Sequence, residues 1–237
     1  MDIQIETLAL EDITFAYEGQ KPIFENLDFS VPKKSPLIWV HGHIGMGKSS
    51  LMKILAGLLT PQSGRYLLNG EDVFEMSFRE FLPYRLAIGY SFESGGLLAN
   101  RTIAENLMLP LLFHQLCSAS EASERVQFWM ERFNLTKVQN QRPFAVPGGQ
   151  RKAAVILRAF IHYPQLVLLD EATTGLKEDA LRAFVELIEE CVLHHGLKHI
   201  LFCGEQELPI RTMQVKKMEM SYHHKDTLGK DTSGAVG

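Results

Sequence analysis

A glycine-rich octet constrains this chain more than any other segment: Gly42-His43-Ile44-Gly45-Met46-Gly47-Lys48-Ser49. It satisfies the phosphate-loop pattern G-x-x-x-x-G-K-[ST] at every fixed position. Its flanks fit as well. The apolar run Leu37-Ile38-Trp39-Val40 leads in as a buried strand, and a helical pattern over 51–59 leads out. The glycines let successive backbone N–H groups turn inward on an anion. A helix beginning near Gly47 adds the positive end of its dipole. In such a loop Lys48 reaches the terminal phosphates of a nucleoside triphosphate, and the Ser49 hydroxyl holds Mg²⁺. The octet together with Ser50 is therefore the expected nucleotide-binding segment, set in an α/β fold of the P-loop type.

Composition limits what else the chain can be. Its 237 residues suffice for a full core, and 46% apolar with 22% charged residues is ordinary for a globular protein. The formal net charge of −4 supplies no basic footprint for nucleic acid, so no nucleic-acid partner is expected. Cys117, Cys191 and Cys203 are scattered and odd in number, which favours free thiols over a disulfide scaffold or zinc site. The acidic, polar start is unlike a secretory signal, and no apolar run approaches the roughly twenty residues that span a bilayer. These features predict a soluble, cytoplasmic protein whose membrane role, if it has one, runs through a partner.

The expected elements follow the alternation of apolar residues. Strands are expected over 8–17 and 23–31, a turn over 60–64, and strands over 65–68 and 86–92. Residues 95–163 read as a helical subdomain inserted in the α/β body, with helices over 102–115 and 118–133. The second opens on a capping-box pattern, Ser118 with Glu121. A buried strand over 165–169, a long helix over 177–195 with Gly196 as its C-cap, and strands over 199–203 and 213–222 complete one domain of residues 1–222. Residues 223–237 form a polar tail, expected to be mobile.

A second chemical element lies far downstream. Leu166-Val167-Leu168-Leu169-Asp170-Glu171 is an apolar strand ending in two carboxylates. Asp170 at the strand tip suits Mg²⁺, and Glu171 suits a general base that polarises an attacking water. Before it, Val146-Pro147-Gly148-Gly149-Gln150 precedes a strongly helical run over 151–160, a second place where glycines at a helix start favour an anion.

In this order the motifs resemble those of ATP-binding-cassette (ABC) ATPases, over about residues 6–222. The resemblance implies roles position by position. Tyr17 falls where the family stacks an aromatic on adenine, and Gly42 to Ser49 is the Walker A loop. Glu93 falls at the glutamine loop, where it would serve as a Mg²⁺ ligand with Ser49 and Asp170. Gly148, Gly149 and Gln150 fall in the signature usually read L-S-G-G-Q, which grips the nucleotide of a second chain. Asp170 and Glu171 are the Walker B aspartate and catalytic glutamate, the latter acting with Lys48. ATP and Mg²⁺ are the implied cofactors. A second ABC ATPase chain, paired head to tail, and transmembrane permease subunits are the implied partners, with the chain peripheral to the inner face of the membrane. The segment from Phe92 to Leu98, with Ile103 to Leu107 and Leu109-Pro110-Leu111, is similar to the ATPases of lipid-asymmetry (MCE-type) transporters.

Four positions depart from the family pattern. Glu93 replaces a glutamine; one extra charge about 5 Å from a phosphate, at an effective dielectric near 20, is worth about 3 kcal/mol of repulsion before a metal offsets it. Pro147 replaces the signature serine and offers neither hydroxyl nor N–H. Lys177 stands for an aspartate, and Gly204 or Glu205 stands where the family has a histidine. His199 is at the other end of that strand and cannot substitute. Each lost donor typically costs about 10²- to 10³-fold in rate. The histidine and the signature serine are absent from the same chain, so neither composite site of a dimer is complete. The expectation is slow hydrolysis coupled to transport, the alternative an ATP-binding module that assembles a membrane complex with little turnover.

Overall fold

The computed structural model describes residues 3–31, 37–43, 45–93, 95–204, 208, 210 and 215–220. Ile44, Ser94, Glu205, Met213 and the tail lie outside the described residues. In chain order the first elements are β1 (Leu8–Phe15), β2 (Phe24–Val31), β3 (Leu37–His41), α1 (Lys48–Leu55), β4 (Ser63–Leu68), β5 (Glu71–Asp72) and α2 (Phe78–Leu86). Then come β6 (Ile88–Ser91), α3 (Ile103–Phe113), α4 (Ala119–Arg132), α5 (Gly148–Phe160), β7 (Leu166–Asp170), α6 (Glu178–His194), β8 (His199–Cys203) and β9 (Val215–Glu219).

Two sheets result, and their burial patterns differ for a physical reason. β1 and β2 alternate buried with more exposed residues, as strands with one wet face do. They form an antiparallel sheet in the order β2-β1-β4-β5. The other sheet runs β6-β7-β8-β3-β9 with every pairing parallel. Every residue of β7 and β8 is buried, because layers cover both faces. On one face Val167, Leu169, Ile200 and Phe202 join the core of α3, α4, α5 and α6. On the other, Leu166, Leu168, Ile38 and Val40 join α1 and the antiparallel sheet. The carboxyl ends of β3 and β7 thereby open at one edge of the sheet, where ligands bind in such folds.

Several boundaries differ from expectation. The helix after the octet starts at Lys48 and ends at Leu55, earlier than the 51–59 pattern, and residue 63, expected in a turn, already belongs to β4. α5 starts at Gly148, because backbone beyond Pro147 is already helical. Gly196 follows the C-cap, His195: its φ of +70° lets the Leu197 N–H reach back to the Cys191 carbonyl at 3.1 Å, the closure of a Schellman turn. α2 has no counterpart among the expected elements, and it occupies residue 86, expected to be strand. A capping box of Ser77 and Glu80 starts it, and two more, Thr102 with Glu105 and Ser118 with Glu121, start α3 and α4. Each is worth about 1 kcal/mol.

Candidate nucleotide-binding site

The octet closes over the N-terminus of α1. Gly47 is the N-cap with no side-chain cap, and the first helical bond runs from the Leu51 N–H to the Gly47 carbonyl at 2.8 Å. The N–H groups of Lys48, Ser49 and Ser50 are thus free to meet an anion. Gly47 sits at φ +86°, and a Cβ there would lie 2.3 Å from Ile23 Cγ2 and 2.8 Å from the Phe24 ring. Only a glycine lets the loop lie this close to β2.

A cavity of about 640 Å³ opens here, lined by Gly42, Gly45, Lys48, Ser49, Glu93 and Glu171 among others. Lys48 Nζ donates to the carbonyls of Gly42 (2.8 Å) and His43 (3.1 Å), held back along its own loop. Ser49 Oγ donates to Asp170 Oδ1 at 3.0 Å, joining the octet to the tip of β7 across 121 residues of sequence. Cys203 Sγ donates to the same oxygen at 3.0 Å, and burial raises its thiol pKa, with the Asp170 charge adding to the effect. Asp170 is 2% exposed, so a hydroxyl and a thiol serve a buried carboxylate. These groups fit a triphosphate with Mg²⁺. Bare N–H groups and a lysine suit the phosphates, and the hard oxygens of Ser49 and Asp170 suit the metal.

Glu171 follows β7 in a left-handed conformation, φ +49°, which an ordinary residue adopts at a cost of about 1–3 kcal/mol. Its N–H bonds the Cys203 carbonyl at 3.0 Å, and its carboxylate accepts the Thr174 hydroxyl at 3.2 Å. The turn thus aims the carboxylate into the cavity instead of along the sheet.

Other expected positions fall less simply. Tyr17 packs edge-to-face on Phe15 at 5.0 Å, and its hydroxyl lies 3.2 Å from Ser50 Oγ, at the border of the cavity. Ser50 lines the cavity, whereas Gly148, Gly149 and Gln150 are not among its walls. The α5 start packs instead near Gly175, whose carbonyl a Cβ on Gly149 would meet at 3.0 Å. The Gln150 amide is turned to the Asn134 carbonyl at 2.9 Å. His43 is exposed and gives its carbonyl to Lys48, and Met46 packs against the core beneath the loop. His195 stacks on Tyr163 at 3.5 Å, well away from the cavity walls. His199 is buried at the far end of β8.

Gly204 forms part of the wall, and its carbonyl accepts the Trp39 indole N–H at 3.1 Å. Two residues in this region go unrecognised in the sequence. The Tyr90 hydroxyl is buried without a hydrogen-bond partner among the described residues, and burial and the nearby Asp170 charge raise its pKa. Lys152 lines the cavity from the second turn of α5. Neither has a signal of its own, since each depends on which strand ends come together.

The sequence model of the ABC transporter family matches residues 24–174. The chain belongs to the ABC transporter family. It is 36% identical over 186 residues to the methionine import ATP-binding protein MetN 1 of Rhodococcus jostii, covering 78% of this chain and 54% of that protein. It is 31% identical over 184 residues to the cell division ATP-binding protein FtsE of Haemophilus influenzae, covering 77% of this chain and 84% of the relative. The chain therefore spans about half the length of MetN 1 but most of FtsE. Its fold matches the ATP-binding cassette MJ0796, solved as a dimer in a post-hydrolysis state with ADP and Pi, at TM-score 0.77 and 21% identity over 90% of this chain and 96% of that one. The fold expected from the octet is thus the ABC ATPase fold. Among the described residues no helix is long and apolar enough to cross a membrane.

Proposed function

We propose that this chain is the ATP-binding subunit of an ABC transporter, closing head to tail with a second ATPase chain around ATP and Mg²⁺ and driving transmembrane partners from the inner face of a membrane. The observation that carries this reading is the Ser49–Asp170 oxygen pair, 3.0 Å apart, on a cavity that Lys48 and Glu171 also line. When bound, ATP with Mg²⁺ supplies a polarised terminal phosphoryl group. The protein's part is binding, alignment and proton transfer. Lys48, now on its two loop carbonyls, would hold phosphate, and the Ser49 and Asp170 oxygens that now bond each other would hold the metal. Glu171, steadied by Thr174, takes the proton of the attacking water. Hydrolysis is slow, because Gly204 or Glu205 stands where the family has a histidine and Pro147 brings no hydroxyl to the α5 start.

The substrate is named only by class. Residues 92–111 support a lipid-transporting relative, while MetN 1 and FtsE are named for methionine import and cell division. Phosphate release by the chain assembled with its membrane partner tests the assignment. Low turnover that falls at least about tenfold in Glu171→Gln supports it, and equal rates overturn it. Gly204 and Pro147 favour one second reading, in which ATP holds an assembly together without turnover. ATP-dependent dimerisation with no phosphate release above background selects that reading.

A further inference from the structure

Two carboxylates, Glu93 and Glu171, line the cavity beside the buried Asp170, and Lys152 stands among them. Lys152 lies two residues beyond Gln150, yet it lines this chain's own cavity, which Gly148, Gly149 and Gln150 do not. Its Nζ donates to the carbonyls of Glu93 (2.9 Å), Phe92 (3.2 Å) and Asp170 (3.4 Å). An ammonium has three donors, so all three are taken by backbone beyond β6 and at the tip of β7. Burial pulls the Lys152 pKa down, while the Asp170, Glu93 and Glu171 carboxylates hold it up. Among the described residues Lys48 is the other cation in the wall. Two lysines thus face Glu93, Glu171 and the buried Asp170. Without Lys152, a single lysine in the described wall would stand with Glu93 and Glu171, next to the buried Asp170, before any phosphate entered.

We propose that Lys152 is the residue that lets this acidic cavity accept a third phosphate, by offsetting Glu93, and that it thereby sets the preference for ATP over ADP. The inference rests on the cavity being the ATP site. With its donors engaged, Lys152 bonds no phosphate; it is a positioning residue, acting through its charge and through the backbone of Glu93. A lysine that only braced the backbone would affect both nucleotides alike, and an arginine in its place would keep donors for that bracing. A charge effect instead grows with the charge of the ligand and disappears when Glu93 is made neutral.

The test titrates the full chain with Mg-ATP and Mg-ADP in wild type, Lys152→Gln, Lys152→Arg, Glu93→Gln and the Lys152→Gln/Glu93→Gln double variant. One unit charge removed from near the third phosphate should weaken ATP about tenfold or more and ADP less than about threefold in Lys152→Gln. Lys152→Arg should keep the wild-type preference, and the double variant should recover ATP affinity to within about threefold. Equal losses for the two nucleotides, or no recovery in the double variant, overturn the proposal. If Lys152→Gln melts too low to titrate, Glu93→Gln alone decides: selective tightening of ATP supports the proposal, and unchanged affinity overturns it. Wild-type protein that binds neither nucleotide overturns the site itself and this inference with it; wild-type binding with equal losses overturns this inference alone.

Discussion

Alanine at three glycines separates the two physical reasons for glycine in this site. Gly47 has φ +86°, and its added Cβ would lie 2.3 Å from Ile23 Cγ2 and 2.8 Å from Phe24 Cζ. The left-handed backbone costs a non-glycine residue about 1–2 kcal/mol. Overpacking adds about 1–3 kcal/mol, because Ile23 can yield while Phe24, 1% exposed, is fixed in the core. Gly47→Ala should therefore lose about 2–5 kcal/mol, or about 4–20 °C in Tm for a domain of this size. Gly45 has φ +87° but nothing within 4 Å of its Cβ, so Gly45→Ala should lose only the backbone share, about 1–2 kcal/mol. Gly148 has neither constraint and begins α5, so Gly148→Ala should stay within about 0.5 kcal/mol of wild type or gain slightly. Thermal unfolding followed by circular dichroism gives the ranking, and Mg-ATP titration of the same proteins shows whether the loop still binds. Equal losses at Gly45 and Gly47 would refute the claim that contact with β2 fixes the loop, and a large loss at Gly148 would refute the accounting as a whole.

Two further predictions concern parts of the fold that support the site. Asn106 is fully buried and serves the 98–102 loop: its Oδ1 accepts the Leu98 N–H at 2.7 Å, and its amide donates to the carbonyls of Leu98, Arg101 and Thr102. Asn106→Asp sets a carboxylate against those three carbonyls and should cost about 3 kcal/mol or more, read from the urea midpoint, and a cost under about 1 kcal/mol would contradict it. Burial lowers the His162 pKa from 6.5 to about 4. Between those values the unfolded chain binds the extra proton, so stability falls as pH drops, by about 2–3 kcal/mol at pH 4.5 relative to pH 7. His162→Leu should remove that share of the pH dependence, and parallel urea profiles for wild type and variant would show that His162 carries none of it.

What the sequence revealed was whatever could be read locally. The octet announced α1 and the phosphate loop, and the run from Leu166 to Glu171 announced β7 with its two carboxylates, because each carries its chemistry within a few residues. α2 went unread for the opposite reason. Its capping pair, Ser77 and Glu80, has the right spacing, but Pro83 interrupts it and only Tyr84 is buried, so no apolar period marks it. Lys152 was hidden more deeply. Its partners are 18 to 60 residues away along the chain, and only the adjacency of β6 and β7 brings them to one ammonium. Gln150 shows how a motif residue also takes part in its own chain's packing. Its position fits the signature, but its amide bonds Asn134.

The departures from the family pattern therefore do not weigh equally. Taken alone, Glu93 is a repelling charge at the phosphate site. In the folded chain it comes with Lys152, whose ammonium holds the Glu93 carbonyl and faces its carboxylate, so the net charge of that corner is much as a neutral glutamine would leave it. Nothing among the described residues offsets Gly204 in this way. It is buried in the cavity wall, fixed by Trp39, and has no side chain to offer a developing charge. The two changes act on different steps. On the proposed function, charge at Glu93 and Lys152 governs whether a triphosphate enters, whereas the donor missing at Gly204 or Glu205 governs how fast it is cleaved. On the proposed function, such a site keeps its grip on ATP while losing rate, which is the combination expected of a subunit whose closed, ATP-bound state is long-lived.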